Sequence, residues 1–198
     1  MTFLENVNEF LPGDPIIWII CAVILLLILI GLRLNVLRRR RIRRQLDPRR
    51  ITMQDIDSML DGVDFERYLY RLFTELDYEN VYKTNTSGDF GADLVFDDRY
   101  GVRTVLQAKR YSPSNPVGLS AVQEVYASMR AYGAERAIVL TSGRYTGACR
   151  KLAAYNGVVL LDRDDLEEVI SAFKARDLET AMEIIEREPE TAPPLLVT

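Results

Sequence analysis

The stretch "GADLVFDDRYGVRTVLQAKR", residues 91–110, holds two runs of strand-forming residues separated by Asp-Asp-Arg-Tyr-Gly. Apolar and β-branched residues on either side of a short Gly- and Asp-containing turn are the signature of an antiparallel hairpin. Successive strand residues point to opposite faces, so Gln107 and Lys109 share one face while Leu106 and Ala108 take the other. On the first strand Asp93 and Val95 share a face, opposite Leu94 and Phe96. If the turn folds the two strands together, Asp93 arrives beside residues 106–109. A carboxylate, an amide oxygen and an ammonium then converge at one end of a small sheet. Such oxygen donors suit a hard divalent cation, Mg²⁺ above all, and the lysine suits a phosphate or an attacking water.

Outward from the hairpin the elements alternate. Upstream, Phe65, Leu69, Leu72, Phe73 and Leu76 follow the 3.6-residue period and predict a helix over 63–76, with Asp61 or Asp64 as its cap. Glu66 falls at the margin of that stripe, where it can lean toward the core edge. "YENVYKTNTSGDFG", residues 78–91, predicts a weak strand running into a Gly-Ser-Asp loop. Downstream, "LSAVQEVYASMRAYG" predicts a helix over 120–132, "RAIVLTSG" a buried strand, "YTGACRKLAAYNG" a helix ending at Gly157, "VVLL" another buried strand and "DRDDLEEVISAFKAR" a further helix. Strand-helix-strand alternation implies parallel pairing with helical crossovers, so the expected fold is α/β, with a mixed sheet flanked by helices. Beyond Asp177 one more helix and a loose tail are expected.

Composition narrows the chemistry. The chain of 198 residues contains no histidine and two cysteines. Histidine-based triads, histidine-ligated zinc and the usual neutral-pH base are therefore absent. Cys21 and Cys149, far apart in sequence, offer neither a disulfide framework nor a paired-cysteine metal site. What remains is carboxylate, lysine, tyrosine and metal chemistry.

Charge is distributed unevenly. Residues 33–50 hold nine arginines against one aspartate, whereas residues 51–198 hold 16 Lys+Arg against 25 Asp+Glu. Ahead of the arginines, residues 15–32 carry no charge, while Glu5, Glu9 and Asp14 precede them without any Lys or Arg. That order predicts a transmembrane helix over 15–32, with a short extracytoplasmic N-terminus (1–14) and an Arg-rich juxtamembrane segment (33–50) held on the cytoplasmic side. The arginines would also attract anionic lipid, or nucleic-acid phosphate. The expected catalytic domain spans 51–176, and residues 177–198 form the final helix and tail.

"FERYL" with "LFTELDYENV", then "TSGDFGADLVF", "VLQAKRY", "VGLSAVQEV", "AIVLTSGRYTGACRKLA" and "GVVLLDRDDL" together resemble the Mrr-type restriction endonuclease catalytic domain, a branch of the PD-(D/E)XK nucleases. The likeness runs from about residue 61 to 168. It implies a restriction-endonuclease-like central mixed sheet and metal-dependent hydrolysis of double-stranded DNA, often foreign or modified. By resemblance, Asp93, Glu66 and Gln107 hold the metal, Mg²⁺ or Mn²⁺, and Lys109 completes the catalytic group by orienting the attacking water. Gln107 stands where many superfamily members carry glutamate and brings no charge, so metal binding leans on Asp93 and Glu66. Asp89 and Gln123 match recurrent polar positions. Arg110, Gln123, Arg144 and Lys151, with Arg150, are expected to touch DNA. The "TSGRYTG" loop reads either as a phosphate site before a helix N-terminus or as a capped turn. Expected partners are DNA, membrane lipid through residues 15–50 and a second copy of the chain. The competing function is a membrane-anchored binding or scaffold module that keeps the fold without hydrolysis.

Overall fold

The computed structural model describes residues 15–84 and 90–193, with side chains left out at 15–17 and 35–45. It divides into two compact units, residues 1–44 and 45–198. The first contains helix α1 (Pro15–Gln45). Side chains from Trp18 to Leu34 are exposed all round it, Trp18 at 57% and Leu27 at 62%. The described uncharged run, 18–32, amounts to about 22 Å of helix at 1.5 Å per residue, short of the roughly 30 Å hydrocarbon core. Among the described residues no helix is long and apolar enough to cross a membrane, so the span expected over 15–32 is not upheld.

The second unit is built on one five-stranded sheet in the order β1-β2-β3-β4-β5. Its strands are β1 (Glu79–Lys83), β2 (Leu94–Asp97), β3 (Arg103–Lys109), β4 (Arg136–Thr141) and β5 (Val159–Leu161). The first three pair antiparallel and the last three parallel, giving the expected mixed sheet. The helices are α2 (Met53–Asp57), α3 (Gly62–Glu75), α4 (Ser120–Tyr132), α5 (Gly147–Asn156), α6 (Arg163–Lys174) and α7 (Leu178–Ile185). Local chemistry explains their limits. Asp61, whose side chain accepts from the Asp64 N–H, starts α3. Gly133 and Gly157, both at φ +63, end α4 and α5 in the left-handed region. Asp162 caps α6 through a reciprocal box with Asp165.

The hairpin forms in the expected register, with Leu94 opposite Leu106 and Val95 opposite Val105. Its alternation divides the core. Val95, Val105 and Val139 join Val122, Val125, Cys149 and Ala153 from α4 and α5 in one buried cluster. On α3, Phe65, Tyr68, Leu69, Leu72 and Phe73 are buried, and Phe73 meets Phe96 of β2 edge-on at 4.9 Å. Asp93, Gln107 and Lys109 share parity with the valines, so they continue the α4 side beyond the apolar part of the sheet.

The end of α7 and the start of the segment expected to be loose are bonded back to the rest of the unit. The buried carboxylate of Glu186 accepts from the Arg99 main-chain N–H and its Nε (3.1 and 2.7 Å). Arg187 pairs with Asp165 at 2.6 Å, and the Ala192 N–H donates to the Ala154 carbonyl at 3.2 Å. Residues 194–198 and Asp89 lie outside the described residues.

Candidate active site

The main chain places Asp93 before its side chain acts. Its N–H donates to the Leu106 carbonyl at 2.8 Å, continuing the hairpin one residue beyond β2, and its own carbonyl accepts from the Thr84 N–H at 3.0 Å. The carboxylate, 7% exposed, turns onto the facing strand. There Oδ2 accepts from Gln107 Nε2 at 2.5 Å and from the Ala108 N–H at 2.7 Å. A buried carboxylate needs such donors to offset lost hydration. They also fix which way Gln107 faces, because the amide nitrogen is committed to Asp93.

Glu66 and Lys109 approach from different elements. Glu66, on α3, borders the same open depression as Asp93, Gln107 and Lys109, together with Phe90, Gly91, Ala108 and Glu124. Each of the two is paired within the chain. Lys83 at the end of β1 donates to Glu66 Oε2, and Lys109 Nζ donates to Glu124 Oε2 at 2.8 Å. The Glu66 side chain is 16% exposed, in keeping with its place at the margin of the apolar stripe.

Lys83 and Glu124 were missed by the sequence reading. Lys83 reaches the site only through a bulged β1–β2 register, in which it faces Leu94. Nothing in the local pattern around residue 83 marks that bulge. Glu124 lies within the helix quoted for the family likeness, next to Gln123. The 3.6-residue period could have separated them, since Glu124 is half-buried and Gln123 is exposed.

The loop after β4 turns out to be a brace for Lys109. Its carbonyl accepts from Thr141 Oγ1 (2.6 Å) and from the Ser142 N–H (3.3 Å). Thr141 Oγ1 in turn accepts from the Gly143 N–H, and Ser142 Oγ donates to the Tyr111 carbonyl, both at 3.0 Å. A Cβ on Gly143 would stand 3.0 Å from the Tyr111 carbonyl oxygen, which is why the loop can lie so close. Thr146 caps α5 by accepting from the Cys149 N–H, and Arg144 is held by both oxygens of Asp164 at 3.1 Å. The capped-turn geometry of "TSGRYTG" is present, with its hydroxyls and its arginine bonded within the chain.

The expected DNA contacts are not gathered at the depression. Arg110, Gln123, Arg144 and Lys151 do not line it, and Arg150 pairs with Asp162 at 3.1 Å. Cys149 is no nucleophile, since burial pushes its thiol up to about 11.

As a cation site, the donor set is all oxygen: the carboxylates of Glu66, Asp93 and Glu124 and the side-chain amide of Gln107. That chemistry fits a hard divalent ion. Among the described residues no group of three His, Cys, Asp or Glu side chains is close enough to hold a metal. Position 107 is a neutral glutamine, and two of the acids here are already paired, Glu66 with Lys83 and Glu124 with Lys109.

A family model described as restriction endonuclease, the Mrr catalytic domain, matches residues 57–170, more than half of the chain. The chain belongs to this family. Two solved structures are similar to this restriction endonuclease domain. One is "DNA modification-dependent restriction endonuclease AspBHI", with 17% identity and a TM-score of 0.48 over 67% of this chain and 36% of that one. The other is "MspJI Restriction Endonuclease in Complex with 27-mer Oligonucleotide", with 21% identity and a TM-score of 0.46 over 66% of this chain and 34% of that one. The chain therefore spans about a third of the length of either. No curated protein matches it.

Gly91 holds this arrangement against α4. It adopts φ +93, and a Cβ there would fall 2.7 Å from the Glu124 carbonyl oxygen. Gly91→Ala is expected to cost about 1–3 kcal/mol of stability from backbone strain alone. Urea unfolding followed by circular dichroism checks this; an unchanged midpoint would show that the close approach carries no constraint.

Proposed function

We infer that this restriction endonuclease-family chain is a divalent-metal-dependent DNA endonuclease directed at foreign or modified DNA. The observation that carries the reading is that Glu66, Asp93, Gln107 and Lys109, drawn from one helix and two strands, border a single open depression.

In this reading Asp93 and Glu66 supply the negative charge that holds the cation, and Gln107 supplies a neutral amide oxygen. When bound there, Mg²⁺ or Mn²⁺ provides the Lewis acidity that phosphodiester hydrolysis needs, both toward water and toward the leaving oxygen. Lys109 orients the attacking water and offsets charge developing on the phosphate. The Thr141 brace on its carbonyl fixes where that side chain starts, which matters because catalysis by positioning is sensitive to about 1 Å. Glu124 holds the ammonium at the site until phosphate competes for it. Glu66 must likewise exchange Lys83 for the cation.

That second exchange favours a specific alternative: a binding module that keeps the fold without hydrolysis. With Lys83 on Glu66 and Lys109 on Glu124, two of the three acids at the depression are neutralised from within. Cleavage separates the two readings. The full chain in detergent is expected to cut duplex DNA with Mg²⁺ or Mn²⁺ and not with EDTA. Lys109→Ala and Asp93→Ala should each lose at least about 100-fold in rate, the scale of a removed charge-stabilising group. Equal cutting by all three proteins would eliminate the proposed site; metal-dependent binding without product would favour the alternative.

We further propose that residues 15–50 attach the protein to a membrane, with the catalytic unit on the cytoplasmic side. Support comes from the exposed apolar side chains of 18–34 and the arginines that follow. Large apolar surface without cover favours lipid, and clustered arginines favour anionic headgroups. Such a placement restricts the substrate to DNA reaching the membrane, as entering DNA does. In flotation with anionic vesicles the full chain is expected to rise with lipid, and a chain starting at Gln45 to stay below. Equal behaviour of the two would remove the anchor.

A further inference from the structure

Phe90 is out of character with the depression it borders. Apart from Gly91 and Ala108, its neighbours there are charged or polar (Glu66, Asp93, Gln107, Lys109 and Glu124), yet its ring is 66% exposed. The ring is nevertheless placed. Gly91, directly after it, presses its backbone against Glu124 in a left-handed conformation that leaves no room for a Cβ. The ring itself meets Tyr132 edge-on, with centroids 6.4 Å apart and planes at 70°. Both supports come from α4, so the aromatic is carried on the same helix that carries the partner of Lys109.

An edge-on contact covers at most one face of the ring and leaves at least one face able to stack. What could occupy a face follows from what the depression holds. If a backbone phosphate sits between Asp93 and Lys109, the apolar surfaces within reach are those of the adjoining nucleotide, and every base offers a π-face. Within an intact duplex those faces are covered by neighbouring base pairs. A ring beside the reacting phosphate can meet one only where a base step has opened or the strand is unpaired, as apolar wedges do in duplexes and aromatic platforms do on single strands.

We propose that Phe90 stacks on a nucleobase adjoining the phosphate engaged by Asp93 and Lys109, and that the preferred substrate is therefore DNA with a locally unstacked base. This rests on the nuclease reading of the same depression. It makes Phe90 a substrate-binding residue rather than a part of the hydrolytic group.

The test uses the full chain in detergent carrying Lys109→Ala to silence cleavage. Fluorescence anisotropy measures its binding, with Mg²⁺ present, to duplex DNA with a central unpaired nucleotide and to the fully paired equivalent. The parent is expected to prefer the unpaired site. Phe90→Ala should weaken binding there by roughly 5- to 150-fold, the range for loss of one base–aromatic stack. Its salt dependence should stay unchanged, because no phosphate contact is removed. Phe90→Trp should restore binding, and Phe90→Leu, which keeps bulk without a π-face, should not. If the parent binds DNA and Phe90→Ala binds equally well, or Phe90→Leu matches the parent, the stacking proposal is overturned and the nuclease reading stands. If the parent binds neither DNA and the chain with Lys109 intact neither binds nor cuts either one, both fall together.

Discussion

Everything at the depression depends on how one buried carboxylate is held. Asp93 accepts from the Gln107 amide and the Ala108 main chain on the facing strand, so the hairpin cannot slip without leaving a buried charge unsatisfied. A one-residue slip would also turn Gln107 and Lys109 to the opposite face of the sheet. The same two hydrogen bonds that satisfy the aspartate thus fix the register, and the register places the lysine. Backbone pairing of Asp93 with Leu106 and of Thr84 with Asp93 joins three strands at this point. The α3 and α4 helices add Glu66 and Glu124 to an already determined frame.

Charge balance sets the next constraint. Three acids, Glu66, Asp93 and Glu124, meet two lysines, Lys83 and Lys109, with a neutral glutamine between them. Arginines elsewhere are also neutralised, as Arg144 is by Asp164, Arg150 by Asp162 and Arg163 by Asp57. DNA affinity normally needs unbalanced positive potential. In the proposed nuclease, the acidic excess over residues 51–198 would leave the attraction of a phosphate backbone to a bound cation.

Much of this was legible in the sequence because it depends on short-range periodicity. Alternation across residues 94–97 and 103–109 fixed the faces of the hairpin, and the helical period placed Glu66 at a core margin, where it is found. The order of α3, the hairpin and two crossovers followed from the same patterns. Other features depend on long-range contacts that periodicity does not encode. Lys83 reaches Glu66 through a bulge, and the Thr141 hydroxyl reaches back 32 residues to the Lys109 carbonyl. The loop "TSGRYTG" was ambiguous because a capped turn and a phosphate cradle use the same residue types. Only the identity of each hydroxyl's partner separates them. Glu186 and Arg187, at the end of the last helix, pair with Arg99 and Asp165 far away in sequence, which no local pattern announces.

The most direct test of the central claim is a calorimetric titration of Mn²⁺ into the full chain in detergent, without DNA, compared with the Asp93→Asn variant. The variant keeps a side chain of the same shape but loses the charge, and circular dichroism can verify its fold. The account predicts a saturable heat for the native chain that is absent in Asp93→Asn. Identical titrations from two equally folded proteins would contradict it.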